Sequence, residues 1–582
     1  MQQIKFLCVA ILAITSFFLS LSTQASIITS TDNNTSFKSA YSTDTPTTDQ
    51  FIVSSARLTS DDVYISFNTF SDFVVDEPLR IFNLPAYERP PADVIVIFAG
   101  NIALESSIEI IGPKTDVIIF EGVGQKSYSP YSGDGEVTCT GCRFLNMNRV
   151  TLGSGLSSAP PTSVATTGNS TNIVAGGLGE LVPSATSKFI VDNLEAPGAL
   201  SLELVFSSVE NNGLINLNQG LSDTGIGVYN TDINGSKTVG AGTVNIFLGQ
   251  YKWNYDQREI VGVANVSGTE LTLGGQITAP NVRILSTFPL TVNTNIDTHT
   301  DLLSTTMYRG NLTIVDENVT IETVKESTAS LNLVGNVNTE GSINLNSAHD
   351  MSISSYSDIH SGMKTMIVVA NAFYNFGDIS ADITDIAAGS ITNESKVYSK
   401  TRVELYAEDF IFNQYGGEVQ AEKILIESES GIVRNGSKTP YKDTSPSANT
   451  LITYSENYLD EINATQLGAF YQPGVNVNTS SDSLVLAPKT NASILGNNVE
   501  ILGSAFENIN PYYVFTNNDG SVEIDTEKAM QVRLLANEKL MVNVGNYILN
   551  SSATIEMNSS DGELTLIAPL INNERYLSLI HI

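Results

Sequence analysis

The sequence predicts an all-β protein wound as a right-handed parallel β-helix, a solenoid. Three observations lead there. The chain is rich in Asn, Ser, Thr, Gly, Val, Ile and Leu, and few segments have the Ala/Leu/Glu/Lys content of a good helix. Short apolar or alternating runs recur along most of its length. Turn residues separate those runs too often for the long strands of a sandwich.

The amino-terminal residues 1–25 read as a secretory signal peptide. Lys5 supplies positive charge, Phe6 to Leu21 is almost wholly apolar, and Thr23-Gln24-Ala25 places small residues at the cleavage position. The apolar run, about 16 residues, is short for a membrane helix, and no basic stop cluster follows. Cys8 lies inside the run rather than at its end, which argues against a lipoprotein. No later run is long enough to span a bilayer as a helix, and no regular amphipathic strands with aromatic girdles suggest a membrane barrel. The mature part is expected to be soluble, with no membrane span.

From Thr48 to Thr138 strand follows strand. Val63-Tyr64-Ile65-Ser66-Phe67 alternates, whereas 93–98 and 116–120 are nearly continuous apolar runs that suit strands buried on both faces or pointing into a narrow core. Gly153 to Ser187 is rich in Ser, Gly, Thr, Ala and Pro, and reads as a linker or a long loop on the side of the fold. Periodicity returns at 188–191 and continues through 202–206, 214–217 and 243–248.

The second half repeats a loose unit of short strand and turn, as at 330–334, 342–345, 351–354, 403–407, 423–427 and 563–567. Turns are expected at 338–341, Gly416-Gly417 and 518–520. Strands this short bury little surface alone, but parallel coils of about 20 residues would cover one another. Many strand positions carry Asn, Ser or Thr, and like residues can stack and hydrogen-bond from coil to coil. The chain ends in the apolar stretch 577–582 without a polar cap, so the expectation is a C-terminus truncated within a longer solenoid.

With 29 basic and 62 acidic residues the net charge is -33. Such a polyanion repels nucleic acid and anionic headgroups, and an acidic surface keeps a secreted β-protein from aggregating.

One stretch is specific. Residues 137–155 read Val-Thr-Cys139-Thr-Gly141-Cys142-Arg-Phe144-Leu-Asn146-Met-Asn-Arg149-Val150-Thr151-Leu152-Gly-Ser-Gly. This resembles the C-x-G-C-x-F-x-N-x-x-R-V-T-L-x-x-G segment of the amino-terminal secretion domain in two-partner-secretion exoproteins, the filamentous-haemagglutinin-like adhesins among them. The setting agrees, because the segment follows a signal peptide and about a hundred residues of strands. The chain departs from the family pattern in having Gly122-Val123-Gly124 and then Ser127 to Gly135 where members carry an Asn-Pro-Asn-Gly turn. The resemblance implies a secretion domain over 26–290 that caps the β-helix, followed by a β-helical repeat passenger over 291–582. It further implies recognition by an outer-membrane partner transporter with periplasmic binding domains.

Read from the residues, Cys139-Thr140-Gly141-Cys142 fits a four-residue turn. Gly at the third position allows positive φ, and the end Cα atoms come near disulfide range. A disulfide formed in an oxidising compartment is one reading, and two reduced thiols packed in the core is the other. Zinc wants four ligands, and no second cysteine pair exists. Arg149 is expected to cap carbonyls or pair with an acid, while Phe144, Val150 and Leu152 alternate as core residues do.

No motif carries chemistry. His299, His349, His360 and His581 lack metal spacing, and no phosphate loop or nucleophile elbow appears where one would work. Asn517–Gly520 is only part of a calcium loop, and Arg309-Gly310-Asn311 only approaches an integrin motif. Asn-x-Ser/Thr sites such as Asn311, Asn318 and Asn463 follow from composition. The expectation is a non-enzymatic adhesin without cofactor or metal, secreted through the periplasm or held at the cell surface, with a glycan or protein ligand unknown. The alternatives are a toxin carrier, which calls for a distinct C-terminal globular domain, and a polysaccharide-degrading β-helix with paired carboxylates.

Overall fold

A computed structural model describes residues 64–84, 91–121, 135–154, 187–217, 242–254, 268–298, 318–323, 329–437, 492–510 and 532–574, apart from isolated positions, together with short strands between them. The expected signal peptide, the apolar C-terminal stretch, His299, His581, Asn311, Asn463 and the turn at 518–520 lie outside the described residues. The protein is an all-β parallel β-helix, and every element described is a strand. The chain forms two compact units, Met1–Ser207 with Lys252–Ile260 and Ser208–Tyr251 with Val261–Ile582, so the division falls inside the expected 26–290 segment.

In the first unit each coil contributes to three parallel columns. Tyr64–Val75 pairs with Val94–Leu104 along nearly its whole length. The first half of Val94–Leu104 pairs onward with Thr115–Glu121, then Met147–Ser154, then Ser201–Phe206. Its second half pairs with Glu136–Leu145, which in turn pairs with Lys188–Glu195. Leu79–Phe82, Ser107–Ile111 and the end of Glu136–Leu145 make the third column. The first coil is covered by antiparallel pairing, with Ile27–Ser30 and Ala56–Leu58 against Tyr64–Val75. That pairing removes the free edge a parallel stack would otherwise present.

The expected continuous apolar runs are buried on both faces. On one face lie Val117, Ile119, Val150, Leu152, Leu202 and Leu204; on the other lie Ile118, Phe120, Thr151, Glu203 and Val205. Gly153 sits opposite Phe120, where a Cβ would come within 2.4 Å of the ring. The Gly/Ser/Thr-rich stretch after Gly153 is more than a linker. It holds the hairpin Val164–Thr167 with Ser170–Ile173, and Glu180–Val182 pairs antiparallel with Leu156–Ser157. β-Branched residues between the Gly and Pro positions favour extended backbone there.

The second unit repeats the three-column plan. Leu271–Leu273, Leu290–Val292, Leu331–Leu333 and Met351–Ile353 stack in one column. Gln276–Thr278, Asn295–Asp297, Val337–Thr339 and Asp358–Ser361 form the second. Thr243–Leu248, Asn281–Ser286, Asn318–Thr323 and Ser342–Ser347 form the third. Alternation is strict, with Val319, Ile321, Ile343 and Leu345 fully buried and their neighbours half-exposed. Residues 338–341, expected as a turn, are shared between the end of Val337–Thr339 and the corner before Ser342.

From Lys364 onward the short-strand pattern gives way to long bent strands, among them Asp378–Asn393, Lys396–Asn413 and Val532–Ser551. Register shifts at Ala388/Ser390, Gly496/Asn498 and Gly503/Ala505 mark the bends. A bulge lets one strand turn a corner without breaking its ladder, which a pattern of apolar residues does not reveal. At 414–417 the expected turn is present, with Tyr415 at φ 51° and Gly416 at φ 97°.

Candidate functional site

The motif segment makes one turn of coil, with a part in each of the three columns. Glu136–Leu145 continues through the cysteines, and the tight four-residue geometry expected of Cys139–Cys142 is made within the strand, where the register against Lys188–Glu195 shifts between Cys139 and Thr140 and again between Thr140 and Cys142. The bulge draws the cysteine Cα atoms to 5.4 Å, and the sulfurs are bonded. A fully extended chain would hold residues three apart at roughly 10 Å, too far for a disulfide. Gly141 makes the bulge, with φ 78° and open space where a Cβ would point, so conformation rather than room selects glycine there. Both cysteines are buried, and Cys139 Sγ lies 3.3 Å from the Asn193 carbonyl.

The corner between Glu136–Leu145 and Met147–Ser154 is made by Asn146, at φ 57°. Its Nδ2 donates to the carbonyls of Ile110 (2.7 Å) and Gly112 (3.0 Å) in the preceding coil. Asn tolerates the left-handed region, and here its amide also ties two coils together. Phe144 is buried among the inward residues before that corner.

Arg149 pairs with an acid, the expectation that its setting left open against carbonyl capping. Its Nη2 lies 2.6 Å from Glu203 Oε1 and donates to Oε2 at 2.7 Å, with both side chains largely shielded. Thr151 Oγ1 donates to the same carboxylate at 2.9 Å. Parallel register sets this up, because Arg149 lies opposite Ser201 and Thr151 opposite Glu203, while Val150 and Leu152 between them meet Leu202 and Leu204. Glu203 was not singled out from the sequence. Its signal was there in a lone acid within an otherwise apolar strand, 202–206.

A second constellation runs through the other unit. Asn375, Asn393, Asn413, Asn435, Asn508, Asn550 and Asn573 occupy one register column. Each Nδ2 donates to the next Oδ1 at 2.7–2.9 Å. From Asn393 to Asn550 the second amide hydrogen goes to a backbone carbonyl, as from Asn413 to Ser493 (3.1 Å) and from Asn435 to Arg533 (3.0 Å). Sequence steps of 18, 20 and 22 residues match the expected coil, while the steps of 73 and 42 carry insertions without losing the column. Beside it Arg434 donates to Glu507 at 2.7 Å and lies over the Phe412 ring, and Tyr547 donates to Glu507 at 2.8 Å. Burial, and then the hydrogen bond to Glu507, push the Tyr547 phenol up to about 12.

The remaining candidates stay apart. His349 Nδ1 lies 3.1 Å from Asp350, and His360 Nδ1 lies 2.9 Å from the Ser380 hydroxyl, each at the surface. Asn318 Oδ1 accepts from the Ser342 amide within a strand corner. Among the described residues no group of three or more His, Cys, Asp or Glu is placed to hold a metal ion, and no helix is long and apolar enough to cross a membrane.

No family model matches the sequence, and no curated protein matches it. Among solved structures the chain is similar to a filamentous hemagglutinin secretion domain, with TM-score 0.33 and 11% identity, over 63% of this chain and 96% of that one.

Proposed function

We propose that the protein is an exported, non-enzymatic adhesin of the two-partner-secretion kind, with its motif coil serving export and its β-helical repeats presenting binding surface. The reading rests on the segment Cys139–Gly155. The described residues from Cys139 to Ser154 build a coil, through a stapled bulge, an Asn corner and a shielded Arg–Glu–Thr cluster. The strands of this coil are paired on both sides, so what it offers a periplasmic partner domain is its outward face and a defined corner. On this reading the chain crosses the periplasm, is recognised by an outer-membrane transporter, and folds outside the cell, where it is released or retained at the surface.

The test is expression of the full chain in a Gram-negative host with and without such a transporter. Chain in the medium or on the surface only when the transporter is present, followed by adherence to host cells, is the expected result. Export that is indifferent to the transporter, or purified chain that adheres to no cell type and instead cleaves a polysaccharide, overturns the reading.

A further inference from the structure

Within the second unit, two neighbouring outward columns each carry a run of uncharged hydrogen-bonding and aromatic side chains. In one, Asn332, Ser352, Tyr374 and Thr392 follow one another from coil to coil; in the other, His360, Ser380, Tyr398 and Gln420 do. Over these four coils neither run includes a carboxylate or an ammonium, in a chain whose net charge is -33; Glu270 accepts from Asn332 at one end, and the first column goes on to Phe412, Arg434 and Glu507 at the other. Successive groups are spaced by the coil repeat, about 4.8 Å. The corner joining the two columns carries Tyr356, 85% exposed, and Phe376 one coil on. Tyr374 and Tyr398 are each close to half exposed. Tyr374 and Phe376 both point outward because they flank the buried Asn375 of the ladder.

Exposed aromatic rings gathered on neighbouring positions, rather than scattered singly, mark a contact surface. The hydroxyls and amides beside them form short chains, such as Ser352 to Asn332 at 2.8 Å and His360 to Ser380 at 2.9 Å, that present both donors and acceptors. Ring faces flanked by uncharged hydrogen-bonding groups at a regular repeat match a chain of pyranose rings, whose C–H faces stack on aromatics and whose hydroxyls need both donors and acceptors. Beside the second column runs the row Asp358, Asp378, Lys396 and Glu418, whose acidic excess disfavours sialylated or sulfated sugars.

We infer that this two-faced strip is a binding site for a neutral oligosaccharide, which names the ligand class of the adhesin reading and rests on it. The experiment applies the purified full chain to an array carrying neutral hexose and N-acetylhexosamine oligosaccharides beside sialylated and sulfated ones, and measures affinity for any hit. Binding to at least one neutral chain is expected. Tyr374→Ala and Tyr398→Ala should each weaken it at least tenfold, and Tyr406→Ala, on the third face, should leave it unchanged, with all three variants keeping the parent's circular dichroism. Binding confined to anionic sugars, no binding to neutral ones, or affinity indifferent to the Tyr374 and Tyr398 changes overturns the inference. Cell adherence measured in parallel separates the two readings. Variants that adhere as well as the parent sink the strip and leave the adhesin, whereas a parent that adheres to nothing sinks the adhesin.

Discussion

Replacing Asn413 by Ala tests whether the asparagine column holds the repeats together. The side chain is 2% exposed. It accepts from Asn393 at 2.8 Å, and donates to Asn435 at 2.8 Å and to the Ser493 carbonyl at 3.1 Å. Truncation removes three hydrogen bonds and leaves their partners in a place water does not reach. An unsatisfied buried polar group costs about 1–3 kcal/mol. Asn393 keeps its second donation, to the Ser395 carbonyl at 2.8 Å, so the low end applies to it. The sum comes to about 3–5 kcal/mol, well above the roughly 1 kcal/mol of an average substitution. Coils contact only their neighbours, so the loss should show as faster native-state hydrogen exchange in residues 390–436 and 492–510, with residues 64–154 unchanged. Asn413→Asp sharpens the test. A carboxylate there still accepts from Asn393 but faces the oxygens of Asn435 and Ser493. Its folded pKa is therefore raised above the ordinary value of about 3.9, so this variant is most stable at acid pH and loses stability as pH rises. A loss under about 1 kcal/mol for Asn413→Ala, or equal pH profiles for the Ala and Asp variants, would refute the argument.

Three other outcomes are expected. Arg149→Met strands the Glu203 carboxylate and should cost about 3–5 kcal/mol, most of it recovered in the Arg149→Met/Glu203→Leu double variant; urea denaturation of the four corners of that cycle decides it. Changing both Cys139 and Cys142 to Ser should cost only about 2 kcal/mol, because the closed loop is so short, and a far larger loss in thermal melts would mean the bond does more than constrain the unfolded chain. Since the Tyr547 phenol holds its proton more tightly folded than unfolded, stability should fall as pH rises from about 10 to about 12. Tyr547→Phe should lack that component, so denaturation midpoints of parent and variant that stay parallel across this window count against it.

The fold class was legible because its cause is local. Short runs such as 117–120 and 343–345 declare their strands by composition and alternation, and runs this short gain enough burial only when stacked. The sequence also marked the motif positions Gly141, Asn146 and Arg149 as unusual, along with an abundance of Asn on strands. Tertiary structure decided what each does. Arg149 finds Glu203 54 positions away only because parallel register brings those strands side by side. Cys139–Cys142 reads as a tight turn, and the pairing of the flanking residues on both sides makes that turn a bulge within one continuous strand. The asparagines become one column across insertions whose length the sequence shows but whose return point it does not. Local pattern sets which residues turn inward, whereas register across a sheet is a sum over many long-range pairs, and that sum exists only once the coils have stacked.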